Sequence, residues 1–179
     1  AASNAAQIVL LDSDFSKMPE VVLEGRRVVN NIQTSASLFL VKNIFSILTT
    51  VFTLIAANLY PLYPTQLSLL GAFTIGTPAF VLALQPNKEL IRGDFLVNVI
   101  LKALPAGFAD FIMLAAISIH GNILGMSNEQ ISTVAIVILL FIGLAALVRI
   151  CRPFDGIRIL LCLAMAAGIV ICVLNFKGI

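Results

Sequence analysis

Between Ser37 and Ala57 the only strongly polar side chains are Lys42 and Asn43, and the other polar positions are Ser and Thr. A stretch of that length and character is enough to cross a bilayer core as a helix. At ~100° per residue, Lys42, Asn43, Ser46, Thr49, Thr50 and Thr53 fall within roughly a third of the circumference. Leu40, Ile44, Ile47, Leu48, Val51 and Leu54 take the opposite arc. The pattern predicts a membrane helix with one greasy arc and one continuous polar stripe. A short turn, Leu59–Pro64, leads into a second apolar segment that contains Gly76-Thr77-Pro78. Pro78 has no N–H to offer the carbonyl four residues back, that of Thr74. Irregular backbone at membrane depth is tolerated only where protein or a wet cavity satisfies it. Two readings follow: a cation site between these helices, or an ordinary kinked helix whose Ser and Thr bond their own backbone.

Composition places most of the chain in lipid. Of 179 residues, 60% are hydrophobic and only 11% charged, with a mean hydropathy of +1.06; a soluble domain spends about a quarter of its residues on charge. Cys151, Cys162 and Cys172 have neither the spacing of a metal site nor the setting of a disulfide framework, and read as buried thiols. With no tryptophan, interface anchoring falls to Tyr60, Tyr63 and Lys/Arg. The opening AASNAAQIVLLDSDF lacks the basic start of a signal peptide. It begins without Met and in mid-pattern, which suggests a piece of a longer chain.

The predicted fold class is an all-α polytopic membrane protein with five transmembrane helices and a short cytosolic N-terminal α/β remnant. Ala6–Leu11 reads as a buried strand ended by Asp12-Ser13-Asp14. Ser16 or Asp14 caps a helix starting near Met18–Pro19. With no Gly or Pro after Gly25, that helix runs on into the polar-striped span; a separate amphipathic surface helix is the alternative. The organisation is therefore 1–17 as the end of a cytosolic domain, 18–37 as a stalk helix and 38–176 as the membrane domain. Its spans are about 38–57, 67–84, 95–119, 131–148 and 157–176.

Loop charges set the direction. Lys17, Arg26, Arg27, Lys88, Arg92, Arg149, Arg152 and Arg158 share one side, whereas the loops Asn58–Gln66 and His120–Gln130 contain no Lys or Arg. The positive-inside rule then puts the N-terminus in the cytosol, and the setting is a cell membrane.

Within the spans, Lys42 lies roughly 24 Å of helix rise below the outer end of its helix and Asp110 about 12 Å from the outer end of the third. The two are charge partners on paper. The depth difference argues against contact unless kinks at Pro105 and Gly107 shift the register. The Lys42 stem can also snorkel to the headgroups. An ionised Asp110 cannot stay unpaired in lipid, so it needs water, a cation or a neighbouring helix. His120 reads as a solvated end residue, and Gly93, Gly107 and Gly143 as sites of close helix packing.

The chain resembles the C-terminal portion of P-type cation-transporting ATPases. Ala5-Ala6-Gln7-Ile8-Val9-Leu10-Leu11-Asp12-Ser13-Asp14-Phe15 follows the family's Ala-Ala-Asp-Ile-Val-Leu-x-Asp-Asp-Asn-Phe pattern. Glu24-Gly25-Arg26, Asn31-Ile32, Pro64-Thr65-Gln66, Pro78 and Ala83-Leu84-Gln85-Pro86 match further family features in the correct order. The five helices would be spans five to nine of ten.

The departures bear on the cargo. The calcium- and sodium-pumping relatives carry Asn-x-Gly-Glu in span five, where this chain has Asn43-Ile44-Phe45-Ser46. Their Asn-x-x-Thr-Asp of span six falls on Gly71, Thr74 and Ile75, so only the threonine remains. A multi-carboxylate calcium cage cannot be built from these two helices. The candidate cation pathway is Lys42, Asn43, Ser46, Thr50, Thr74, Thr77, Pro78 and Asp110, with Lys42 as a possible built-in positive charge. Bacterial members with a similar Thr-Pro-Ala-Phe segment are described as calcium transporters, so calcium is the preferred cargo, with potassium, magnesium or manganese as alternatives.

The resemblance implies Mg and ATP as cofactors of the complete pump and a cytosolic aspartate that is phosphorylated. It implies none of these within this stretch, which holds neither catalytic nor ATP-binding residues. The implied partners are the transported cation, the remainder of the same polypeptide and the bilayer, with no nucleic acid. A secondary transporter would need a matching broken helix in each half, and a structural subunit would need no polar stripe. The topology is testable in a background lacking the native cysteines. An impermeant thiol reagent applied to intact cells should label single cysteines at 63 and 122, and not at 90 or 152; labelling of the second pair would reverse the orientation.

Overall fold

Asp14 accepts hydrogen bonds from the Ser16 N–H at 3.0 Å and the Ser16 hydroxyl at 2.6 Å. This closes a single 3-10 turn, Phe15–Lys17, ahead of helix α1, Met18–Ala56. The computed structural model describes residues 9, 14–56, 60–87, 89–91 and 93–175. The expected strand Ala6–Leu11, and with it the α/β remnant, lies outside the described residues. Among the described residues all regular structure is helical.

The stalk and first span form one helix of 39 residues, about 58 Å long at 1.5 Å per residue. That is nearly twice a hydrocarbon core of ~30 Å, so α1 projects well beyond it. The second span, Pro64–Ala83, has three parts: α2 (Pro64–Gly71), a π-helical turn (Ala72–Gly76) and α3 (Thr77–Ala83). Helices α4 (Phe95–Ile123), α5 (Asn128–Ile150) and α6 (Gly156–Asn175) complete five segments long and apolar enough to cross a membrane. Large apolar side chains such as Leu54, Ile55, Phe80, Leu96 and Leu174 stay exposed on their outer faces, as lipid contact requires.

Local signals set the helix ends. Tyr63 N–H is bonded by the Gln66 side chain at 3.0 Å with Pro64 at the first helical position, so the second span starts at Pro64 rather than near Leu67. Ser127 and Gln130 bond reciprocally as a capping box and start α5 at Asn128. The third span was expected to end at Ile119 and instead reaches Ile123. The stop residue is Gly125 at φ +70, with Met126 N–H bonded to Gly121 O at 2.9 Å and Gly125 N–H to Asn122 O at 3.2 Å. This is a Schellman cap, and Gly121 lies inside the helix.

Packing is most extensive between α1 and α4, followed by α4 and α5. One apolar cluster gathers Phe45, Leu70, Leu114, Ile136, Leu139 and Ile169 in the half of the bundle nearer Leu62. A second gathers Leu38, Ile75, Leu82, Leu147, Cys151 and Leu161 in the other half. Glycine permits the closest approaches. A Cβ at Gly107 would lie 2.8 Å from Ile44 Cγ2, and one at Gly143 would lie 2.5 Å from Thr74 Cγ2 and 3.0 Å from its Cβ.

Gly143→Val should therefore destabilise the protein by about 1–3 kcal/mol through overpacking. Gly25→Ala, where an added Cβ meets nothing within 4 Å, should be neutral or gain up to ~1 kcal/mol from helix propensity. Thermal unfolding of the complete protein in detergent checks the order of the two variants; the opposite order would contradict this packing.

Candidate functional site

The break in the second span is a change of helix pitch rather than an unwound loop. Thr77 N–H bonds the carbonyl five residues back, Ala72 O, and buried Pro78 sits in the first turn of the helix that follows. Isolated π turns of this kind are frequent at functional sites. Buried Thr74 lies in the middle of it, its hydroxyl donating to Leu70 O at 2.6 Å.

A cavity of about 100 Å³ opens beside this turn, between α1, α2, α4 and α5. Its polar lining is Lys42, Ser46, Thr74 and Asp110, and Gly71 and Gly143 expose backbone to it. A single water needs ~10–15 Å³, so there is room for an ion with part of its shell. The cavity sits at the seam of the two apolar clusters, since Phe45 and Leu70 come from one and Leu38 and Ile75 from the other.

Asp110 is 5% exposed, and its Oδ1 has no hydrogen-bond partner among the described residues. The Lys42 Nζ lies 3.9 Å from where a Gly71 Cβ would be. Lys42 and Asp110 line the same cavity without approaching to ion-pair distance. The expected depth difference between them disappears. Asp110 is thirteen residues from the end of α4 at Ile123, and Lys42 is fourteen from Ala56. The four additional residues of α4 account for about 6 Å of the expected difference.

The polar stripe divides on folding. Lys42 and Ser46 face the cavity and Thr49 is fully buried with an unpartnered hydroxyl. Asn43 and Thr50 are exposed and outside the lining, and the Thr50 hydroxyl is used on Ser46 O at 2.8 Å. Thr77 is also exposed, and Pro78 is buried away from the cavity. Position on a helix wheel could not separate these groups, because it does not say where the neighbouring helices lie.

Three features had no signal in the sequence pattern. Tyr60, expected only as an interface anchor, reaches Ser46 with its phenol; burial raises its pKa and the Ser46 hydrogen bond opposes the rise. Buried Gln66 accepts from Ser132 at 2.5 Å and so joins α2 to α5. At the other end, Asn31 donates to Ala83 O and Gln85 O, both at 2.8 Å, and Asn30 donates to Glu89 O at 2.9 Å. Arg158 of α6 closes the set, donating to Gln85 Oε1 at 2.7 Å and Pro153 O at 2.9 Å. Among the described residues no group of three His, Cys, Asp or Glu is placed to hold a metal ion.

No protein-family model and no solved structure matches the chain. Named relatives do. The chain is 35% identical over 176 residues to the Probable cation-transporting ATPase exp7 of Streptococcus pneumoniae, covering 94% of this chain and 23% of that protein. It is 37% identical over 185 residues to the Calcium-transporting ATPase CtpE of Mycobacterium bovis, covering 96% and 23%. The Mycolicibacterium smegmatis protein of the same name is 35% identical over 175 residues, covering 90% and 22%. The chain thus spans less than a quarter of the length of these relatives.

Proposed function

We propose that this chain, a homologue of the C-terminal portion of P-type cation-transporting ATPases, forms part of the membrane domain of an ATP-driven pump whose cargo is calcium. The cargo is taken from relatives named calcium-transporting ATPases. The observation that carries the site is the cavity at the π turn, with a buried carboxylate oxygen that no group among the described residues satisfies. A buried anion without partners is costly unless a cation, a proton or water answers it.

In this reading Asp110 supplies the anionic ligand, and Thr74, Ser46 and nearby carbonyls supply neutral oxygens suited to a hard cation. Lys42 sets the charge of the empty cavity. Asn43, Thr50 and Thr77 are exposed outside the cavity and are available to the rest of the polypeptide. The unbroken α1 would carry displacement from a cytosolic domain to Lys42 and Ser46. Mg and ATP would serve the complete pump, and no step through them is assigned to this chain. Loop charge supports an N-terminus in the cytosol, and a plasma-membrane location is part of this proposal.

The test is phosphoenzyme formation by the complete protein with calcium, magnesium, manganese, potassium and sodium in turn. Calcium-specific stimulation is expected. Asp110→Asn should raise the half-activating calcium concentration at least about tenfold, equivalent to ~1.4 kcal/mol. Ser46→Ala and Thr74→Ala should raise it less, and Asn43→Ala should leave it near wild type. Normal calcium dependence in Asp110→Asn would make Asp110 a packing residue. A response to potassium alone would overturn the cargo.

A further inference from the structure

A second groove, of about 200 Å³, lies between α4 and α5 at the opposite end of the bundle from the Gly125 cap. Lys102 and Arg149 border it, and Pro105, Ala106, Ile142 and Ala145 form its floor. Both cations are exposed, and no carboxylate among the described residues lies within ion-pair distance of either. Glu89 lines an adjoining polar groove with Lys102 but does not pair with it.

Depth makes this arrangement informative. Helix α4 has 29 residues, about 43 Å, against a hydrocarbon core of ~30 Å. Lys102 lies seven residues, about 10 Å, beyond the start of α4 at Phe95, which places it near the edge of the core. Arg149 is the penultimate residue of the antiparallel α5. The two cations therefore meet at headgroup level. Below them the small Ala106 and Ala145 leave the groove open, and exposed Phe108 and Ile112 continue the Pro105 face of α4 toward the bilayer centre. Exposed Phe141 does the same on α5.

We propose that this groove binds one anionic phospholipid, with its phosphate between Lys102 and Arg149 and an acyl chain along the Phe108–Ile112 face. Charge complementarity selects the occupant. Two unpaired cations above an apolar track suit a ligand with an anionic head and an aliphatic tail, and basic pockets between membrane helices on the positive side bind such headgroups. A zwitterionic lipid offers the same tail without the net charge. The site is separate from the Asp110 cavity, and its occupancy requires neither cation transport nor ATP.

Native mass spectrometry of the complete protein, exchanged into micelles doped with phosphatidylglycerol or phosphatidylcholine, tests it. The wild type should retain one phosphatidylglycerol in preference to phosphatidylcholine. Lys102→Gln/Arg149→Gln should lose that lipid with at least about a tenfold weaker apparent affinity, and the charge-preserving Lys102→Arg/Arg149→Lys should keep it. Equal retention of both lipids by the wild type would overturn the proposal, as it would if another segment of the polypeptide filled the groove. Undiminished retention by the double Gln variant would also overturn it. So would displacement of the lipid by millimolar inorganic phosphate, which would show that a free anion suffices.

Discussion

Every backbone N–H and C=O within the hydrocarbon must find a partner inside the protein, because lipid offers none. Four of the five spans meet this largely by continuous α-helix, although Pro105 withholds a bond from the Leu101 carbonyl in one of them. The second span meets it by widening to a π turn at Ala72–Gly76, just ahead of Thr77-Pro78. The neighbouring helices are cut to fit that wider turn. Gly143 of α5 faces Thr74, and Gly168 of α6 faces Phe73, where a Cβ would come within 2.4 Å of Cε1. A wide turn held by glycine on two sides leaves space on the third, toward α1 and α4, and the cavity occupies that space.

Away from the cavity the second span is fastened at both ends by buried polar groups. At one end Gln66 is bonded to Ser132. At the other, Asn31 takes the carbonyls of Ala83 and Gln85, while Arg158 takes the Gln85 side chain. The last carbonyls of a helix lack intrahelical partners, and here α1 supplies them. A shift of α1 along its axis would then draw on the end of the second span and, through Gln85, on α6. The Ser35 hydroxyl adds a weaker link to Ala79 O at 3.3 Å.

The spans were legible in the sequence because apolar length is a one-dimensional property: five were expected, and among the described residues five helices are long and apolar enough to cross a membrane. Their ends were less so. Pro64, Ser127 and Gly125 carried the stop and start signals, but hydropathy alone placed the third span's end four residues early. The lining of the candidate cavity was legible in part. Lys42, Ser46, Thr74 and Asp110 were all singled out, yet their convergence depends on the relative heights of α1 and α4. That height is set by Gly107 seating against Ile44 and the Val41 carbonyl, a contact that no single helix wheel contains. The Asn31–Gln85–Arg158 set was illegible for the same reason, since its members are 54 and 73 positions apart.

The cavity's charges bear on what it can hold. With Lys42 protonated and Asp110 ionised, the lining sums to zero before any cargo enters. Unit charges 4 Å apart interact by ~4 kcal/mol at an effective dielectric of ~20, and a divalent ion doubles that. A calcium ion seated near Asp110 therefore gains from the carboxylate roughly what it loses to a lysine at similar distance. Binding then requires asymmetry. The ion must sit closer to Asp110 and the Thr74 side, or the Lys42 ammonium must withdraw along its flexible stem. Lys42 is exposed at its outer face, whereas Asp110 is enclosed, so the lysine is the partner free to move. The carboxylate is enclosed within the bundle, and the other charge sits on the helix that joins the membrane to the N-terminal side. In the proposed pump, movement of α1 that carries Lys42 away from the cavity would favour cation entry, and its return would favour release.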